Sequence, residues 1–253
     1  PLRHVALPPA EAFSPPQPTG DSLTPMRGQA GEGESRDLAL TPSPGRVSPV
    51  GWGVRSSVLD LGVGNLGNIA RALERAGAAV EITSDPDRLA SARVIVLPGV
   101  GAFRPPREAL RGALEDSLRQ ALAAGAWLLG ICVGYQLLFD SGDEFGEVDG
   151  LGLLPGHVRR LPENVVLPHI GWNRLHGMST QTPHPLLRSI DDGAYAYFVH
   201  SFAPDEVPAR WALASCTHGR SFAAVAGSGR IYGTQFHPER SGRMGQRFLR
   251  NFL

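Results

Sequence analysis

Two short runs, Val94-Ile95-Val96-Leu97 and Ala126 to Ile131, are apolar at every position, and they constrain the fold more than any other feature of the chain. A strand that is apolar on both faces has to be covered on both faces, which is the situation of an interior strand in a parallel sheet. The neighbouring segments agree. Val54 to Leu61 and Ala79 to Thr83 read as further strands, and between them Leu66, Ile69, Leu73 and Ala76 recur at helical spacing up to a stop at Gly77. Leu110, Leu114, Leu118 and Leu122 mark one face of a long helix ending at Gly125. This alternation implies an α/β domain, a mainly parallel sheet flanked by helices. Past Gly150 the strand-like runs crowd together, at 152–159, 195–202, 211–216, 221–226 and 230–235, so an antiparallel portion joins and makes the sheet mixed. No internal repeat is present.

Residues 1–52 have a different texture, with 10 of the 22 prolines and no apolar periodicity. Such a segment buries too little apolar surface to offset its ordering entropy, so a disordered Pro-rich N-terminal extension is expected, with the domain proper over 53–253. The alternatives are a docking arm, or translation from a misplaced start with Met26 or Val54 nearer the true beginning. The chain balances 24 basic side chains, all of them Arg, against 24 acidic ones. No global field is left to draw it to nucleic acid or to an anionic membrane. Cys132 and Cys216 are too few and too distant for a disulfide scaffold, which points to the reducing cytoplasm. No signal peptide is legible, and no apolar run approaches the roughly 20 residues that cross a bilayer.

Chemistry enters at Gly130-Ile131-Cys132-Val133-Gly134, where an apolar strand ends and a helix over Tyr135 to Phe139 is expected to begin. This is the nucleophile-elbow pattern with Cys in place of Ser; its glycines permit a tight turn that leaves the nucleophile at the carboxyl end of the strand. The helix that follows aims its amino terminus at the sulfur, which favours a thiolate. A buried cysteine in a plain strand-to-helix turn fits equally well, so the rest of the chain has to decide. Near its end stands Gly233-Thr234-Gln235-Phe236-His237-Pro238-Glu239-Arg240-Ser241. A thiolate nucleophile needs a base that can later protonate a leaving amine, and a histidine does this near neutral pH. The base needs an orienting acceptor, and Glu239, two residues on across a proline, is placed to accept from the other ring nitrogen.

With both motifs in this order, the chain resembles the class I glutamine amidotransferases from Val54 to Leu253, and among them the glutaminase subunits of imidazole glycerol phosphate synthase. The segments that carry the resemblance are Gly62 to Leu66, Leu97 to Phe103, Gly130 to Phe139, Pro168 to Asn173, Tyr197 to Phe202, Gly233 to Gly242 and Asn251 to Leu253. The Pro98-Gly99-Val100-Gly101 loop, where anthranilate and carbamoyl phosphate relatives carry a G-G-P-G type, discriminates within the family. The resemblance implies a flavodoxin-like fold, no cofactor, and a Cys132, His237, Glu239 triad. It also implies an oxyanion hole from the amide of Val133 and an amide of the Gly99-Val100 turn, and glutamine held by Gln136, Glu144, His200 and Ser201, in part through backbone atoms. The implied partner is a (β/α)8-barrel cyclase in a heterodimer, faced by Asn65, Trp172 and Arg240 and fed with ammonia. Alternatives are an amidotransferase of another pathway, disfavoured by the Pro98 to Phe103 loop together with Pro168 to Asn173, and a silent scaffold subunit, disfavoured by the intact triad residues. For Trp172 a core position is the rival.

The chain departs from the family where Val133 and Tyr135 stand for the frequent Leu and Met, and where Arg240 replaces Lys; a planar fork shapes a contact differently from an ammonium. Cys216, within a strand, reads as a small core residue. His4, His157, His176, His184 and His218 lack the spacing of metal ligands, so no metal site is expected.

Overall fold

The computed structural model describes residues 53–178 and 184–253; the expected disordered extension over 1–52 lies outside the described residues. Strand β1 (Val54–Leu59) leads to helix α1 (Leu66–Ala76), β2 (Ala78–Thr83), α2 (Pro86–Ala90), β3 (Val94–Leu97), α3 (Arg104–Leu110), α4 (Ala113–Ala123) and β4 (Trp127–Ile131). Local chemistry sets these boundaries. Asn65 caps α1 by accepting from the Asn68 amide at 3.2 Å, and Gly77 ends it in the left-handed region at φ 112°. Asp85 caps α2, and Pro86 presets its first turn. The single long helix expected through Leu110 to Leu122 is two helices, because Gly112 at φ 79° turns the chain between α3 and α4.

Beyond β4 come a one-turn helix α5 (Val133–Gln136), short strands β5 (Ser141–Gly142) and β6 (Val148–Asp149), then β7 (His157–Arg160), β8 (His169–Arg174), β9 (Tyr195–His200), β10 (Phe202–Asp205), β11 (Ala212–His218), β12 (Arg220–Ser228), β13 (Ile231–Thr234) and α6 (Gly242–Phe252). Two expectations are corrected here. The strand read over 152–159 is confined to β7, since the chain bends at Gly152 and Gly156, both with positive φ. The helix read over Tyr135 to Phe139 is shorter and starts earlier, at Val133.

The main sheet has seven strands in the order β11-β12-β13-β4-β3-β1-β2. Its β2, β1, β3, β4 and β13 run parallel, while β11 and β12 add the antiparallel portion. All of β3 and all of β4 after Trp127 are buried, as their unbroken apolar sequence requires. Each such aliphatic side chain contributes about 1.5–3 kcal/mol on burial. The central position of β4 matters for function: the chain leaves it at the carboxyl edge of the sheet, where open α/β sheets present their sites. A four-stranded sheet β10-β7-β5-β6 and the antiparallel ribbon β8-β9 hold the remaining strands.

Candidate active site

Cys132 takes up the turn from β4 to α5 in a conformation that side chains rarely adopt, φ 55° and ψ −110°. Holding a non-glycine residue there costs about 1–3 kcal/mol. Close packing keeps it there. A Cβ on Gly134 would come within 1.8 Å of the Leu97 carbonyl oxygen, and one on Gly130 within 2.7 Å of the Gly134 carbonyl oxygen. The elbow glycines are therefore required by close approach, since the positive φ belongs to the cysteine itself. The Cys132 amide donates to the Thr234 carbonyl at 2.8 Å, so the elbow is registered on β13 and the segment that follows it. Tyr135, one of the departures from the family pattern, is accommodated without loss. Its ring lies over Gly233, where a Cβ would be 2.1 Å away, and its hydroxyl donates to the Ala223 carbonyl at 3.1 Å.

After β13 the chain brings His237 beside the elbow. The His237 amide donates to the Tyr197 carbonyl at 2.9 Å, and Ser241 ties the turn by donating to the His237 carbonyl at 2.7 Å. His237 Nδ1 lies 2.8 Å from Glu239 Oε1, with both side chains 5 % exposed. The Nε2 atom is buried and stands outside hydrogen-bonding geometry, with the Cys132 sulfur acting on the ring chiefly through charge. Burial opposes an imidazolium and is the largest single influence, yet Cys132, and after it Glu239, outweigh burial and push His237 up to about 10. A ring held protonated in this way is prepared to act as an acid.

The Val133 amide, expected to hold an oxyanion, donates to the Gly99 carbonyl at 3.3 Å. The Gly99–Val100 peptide thus turns its oxygen toward the elbow, and Gly99 sits so close that a Cβ there would be 2.7 Å from the Gly134 nitrogen. Beside the elbow, Asp143, Glu144, Phe145, Arg160, Ser201 and Phe202 line a cleft of about 500 Å3. Glu144 accepts from the Phe103 amide at 2.8 Å. Burial raises its carboxyl above the usual range, the Phe103 hydrogen bond working against this and the Asp143 charge with it. Gln136 commits its amide nitrogen to the Phe202 carbonyl at 2.8 Å and to Gln235 Oε1 at 3.1 Å. The His200 ring is buried between His169 and the Phe202 carbonyl.

Trp172 is 55 % exposed, which rules out the core position. Its ring meets Tyr197 edge-on at 5.9 Å, and the Arg240 guanidinium lies over the same Tyr197 ring at 4.3 Å. With Ile170 and Tyr195, also exposed, they form an apolar surface with a cationic rim. Asn65 is exposed at the start of α1, which packs against α6. Cys216 is buried in β11, and burial pushes its thiol up to about 12, so it is inert as read. Among the described residues no group of three or more His, Cys, Asp or Glu is arranged to hold a metal, and no helix is long and apolar enough to cross a membrane. Nothing in the sequence marks a role for Gln235, whose side chain lies 3.8 Å from Cys132 Sγ just past the end of β13.

Comparison with known proteins identifies the family. Residues 57–253 match the family model "Glutamine amidotransferase class-I". The imidazole glycerol phosphate synthase subunit HisH of Symbiobacterium thermophilum is 44 % identical over 199 residues, 78 % of this chain and 92 % of that protein. The HisH subunit of Salinibacter ruber is 41 % identical over 205 residues, 78 % of this chain and 93 % of its own. In fold, the chain is similar to a solved glutamine amidotransferase, with TM-score 0.62 and 22 % identity over 79 % of this chain and 97 % of that one. PurLQS from Thermotoga maritima gives 0.61 and 21 %, over 78 % and 96 %. The chain belongs to the class I glutamine amidotransferases and, within them, to the HisH subunits of imidazole glycerol phosphate synthase.

Proposed function

We propose that this chain frees ammonia from glutamine at Cys132 and passes it to a (β/α)8-barrel cyclase subunit that forms imidazole glycerol phosphate. The observation that carries the reading is the strained Cys132 elbow beside a buried imidazole whose far nitrogen is held by Glu239 at 2.8 Å. The Cys132 thiolate adds to the amide carbon of glutamine, and the carbonyl electrons move to oxygen. The His237 imidazolium gives its Nε2 proton to the amide nitrogen, the C–N bond breaks, ammonia leaves and a glutamyl thioester remains. Neutral His237 then takes a proton from water, the hydroxide displaces the thiolate, and glutamate departs with both residues back in their charged forms. Glu239 holds the ring tautomer throughout.

Substrate binding follows from which atoms are still free. With both amide hydrogens engaged, Gln136 offers its Oε1 as an acceptor, and it joins the Glu144 carboxylate in receiving the α-ammonium of glutamine. The His200–Ser201 backbone faces the α-carboxylate. Val133 and the Gly99–Val100 peptide are the oxyanion donors, and in the resting chain the Gly99 carbonyl covers the Val133 amide. Loss of one such donor costs about 2.7–4 kcal/mol of barrier, so the isolated subunit is nearly idle until the peptide rotates. The exposed face with Trp172 and Arg240, together with Asn65, is where the cyclase docks and favours the rotated state, by as much as it binds that state better.

In the assembled synthase, Cys132→Ser is expected to cut glutamine-driven product formation by roughly a thousandfold or more, with ammonium-driven formation retained. Loss of both would make Cys132 structural.

A further inference from the structure

We infer that Gln235 is the hydrogen-bond donor that holds the Cys132 sulfur, and that the Phe202 carbonyl, acting through Gln136, fixes which way its amide points. This rests on the reading of Cys132 as the nucleophile. Among the described residues the hydrogen-bonding partners of Cys132 Sγ are the Val199 carbonyl at 3.9 Å and Gln235 Nε2 at 3.8 Å. The carbonyl can only accept, so Val199 partners the thiol alone, whereas the Gln235 amide donates to the sulfur in either form and more strongly to the thiolate. His237 Nε2 stands outside hydrogen-bonding geometry here and acts on the sulfur chiefly through charge. Before substrate arrives, the side-chain amide that donates to the sulfur is that of Gln235.

An amide side chain looks the same by shape with N and O exchanged, and its hydrogen bonds decide between the two. Here the decision begins at Phe202, whose carbonyl can accept but not donate. His200 Nδ1 and Gln136 Nε2, each at 2.8 Å, both donate to it. With Nδ1 carrying the proton of a neutral ring, His200 Nε2 is bare and accepts from His169 Nδ1 at 3.1 Å. His169 Nε2 in turn accepts from Asn173 Nδ2 at 3.2 Å, and the other hydrogen of that nitrogen goes to the Thr217 carbonyl at 3.0 Å. Burial, above all, holds both rings neutral, His169 at about 4 and His200 at about 3. From the Phe202 side, Gln136 gives its second amide hydrogen to Gln235 Oε1 at 3.1 Å, which leaves Gln235 Nε2 for the sulfur. Every link from Asn173 to Cys132 pairs one donor with one acceptor.

Gln235 is 0 % exposed, and His169 and His200 are 5 % and 6 %. A polar series this deep is costly when broken and stiff when complete. Its outer end lies on the strand that also carries exposed Ile170 and Trp172, so the apolar surface and the sulfur are joined through one ordered network.

A hydrogen bond to an anion multiplies its population roughly ten- to a hundredfold. A thiolate released from it regains about half of that, on a logarithmic scale, in nucleophilicity. Gln235→Met keeps the side-chain length and removes the donor. In the full chain at neutral pH it is expected to slow alkylation of Cys132 by iodoacetamide about 3- to 10-fold. In the complex with the cyclase it should lower kcat for glutamine by a similar factor with KM little changed, and leave ammonium-driven turnover intact. Gln235→Glu, the same shape with an acceptor in place of the donor, should be slower still. A fall in melting temperature with alkylation and kcat per folded site at the wild-type level would overturn the inference. Should Gln235→Met fail to fold, unchanged alkylation in Gln235→Glu overturns it equally. Full glutaminase activity in Cys132→Ser would instead overturn the nucleophile reading, a result distinct from either.

Discussion

The elbow at Gly130 to Gly134 and the loop at Pro98 to Gly101 press against each other, yet they are held in different ways. At the elbow, backbone surrounds the glycines so closely that added carbon would meet carbonyl oxygen at 1.8 Å for Gly134. In the loop, Gly99 has that closeness on one side, while Gly101, at φ 84°, has nothing within 4 Å of its Cβ position and Val100 is 38 % exposed. One region has a single arrangement dictated by the core; the other has room for a peptide to turn. The comparison teaches that the position of the nucleophile is built in, whereas the availability of an oxyanion donor is left open to control.

Substituting the two glycines in parallel sharpens the contrast most. Gly134→Ala forces backbone apart and is expected to cost about 3 kcal/mol or more, near 6–12 °C in melting temperature for a domain of this size. Gly101→Ala meets no neighbour and should cost only the left-handed backbone penalty, about 1–2 kcal/mol. Equal losses in thermal melts would break the contrast.

Behind the elbow, acid should loosen what packing holds. His169 and His200 are depressed from 6.5 to about 4 and about 3, chiefly by burial. Both are neutral in the fold, and the unfolded chain takes up their protons first as pH falls below 6.5. The stability they contribute is complete above 6.5 and is lost as pH falls through the window down to those two values. Melting temperature should therefore drop on acidification, more steeply in the wild type than in a His169→Gln, His200→Gln double variant. Parallel curves would contradict the assignment.

The smallest effect is expected from deleting residues 1–52, whose Pro-rich sequence lacks the apolar periodicity of a packed segment. Their removal should move the melting temperature by less than about 5 °C, and a larger drop would show that the segment packs.

How much of this was legible depended on which residues the core uses. The parallel half was readable because β3 and β4 are apolar on both faces, and Cys132, His237 and Glu239 because their types and order are rare together. Leu110 to Leu122 misled because leucines at four-residue steps continue across the break at Gly112. The β8 ribbon escaped notice as a strand because its pattern is inverted, with His169 buried and Ile170 and Trp172 exposed. The state of the Gly99–Val100 peptide could not be read at all, since glycine allows either orientation.

The central claim is that the Gly99 carbonyl on the Val133 amide keeps the isolated chain idle. Glutamine turnover should be measured on the pure chain, and again with the cyclase carrying its nucleotide substrate. The account predicts a rise of at least about a hundredfold, mostly in kcat, and a blunted rise in Gly99→Pro. Equal turnover with and without the loaded partner would contradict it.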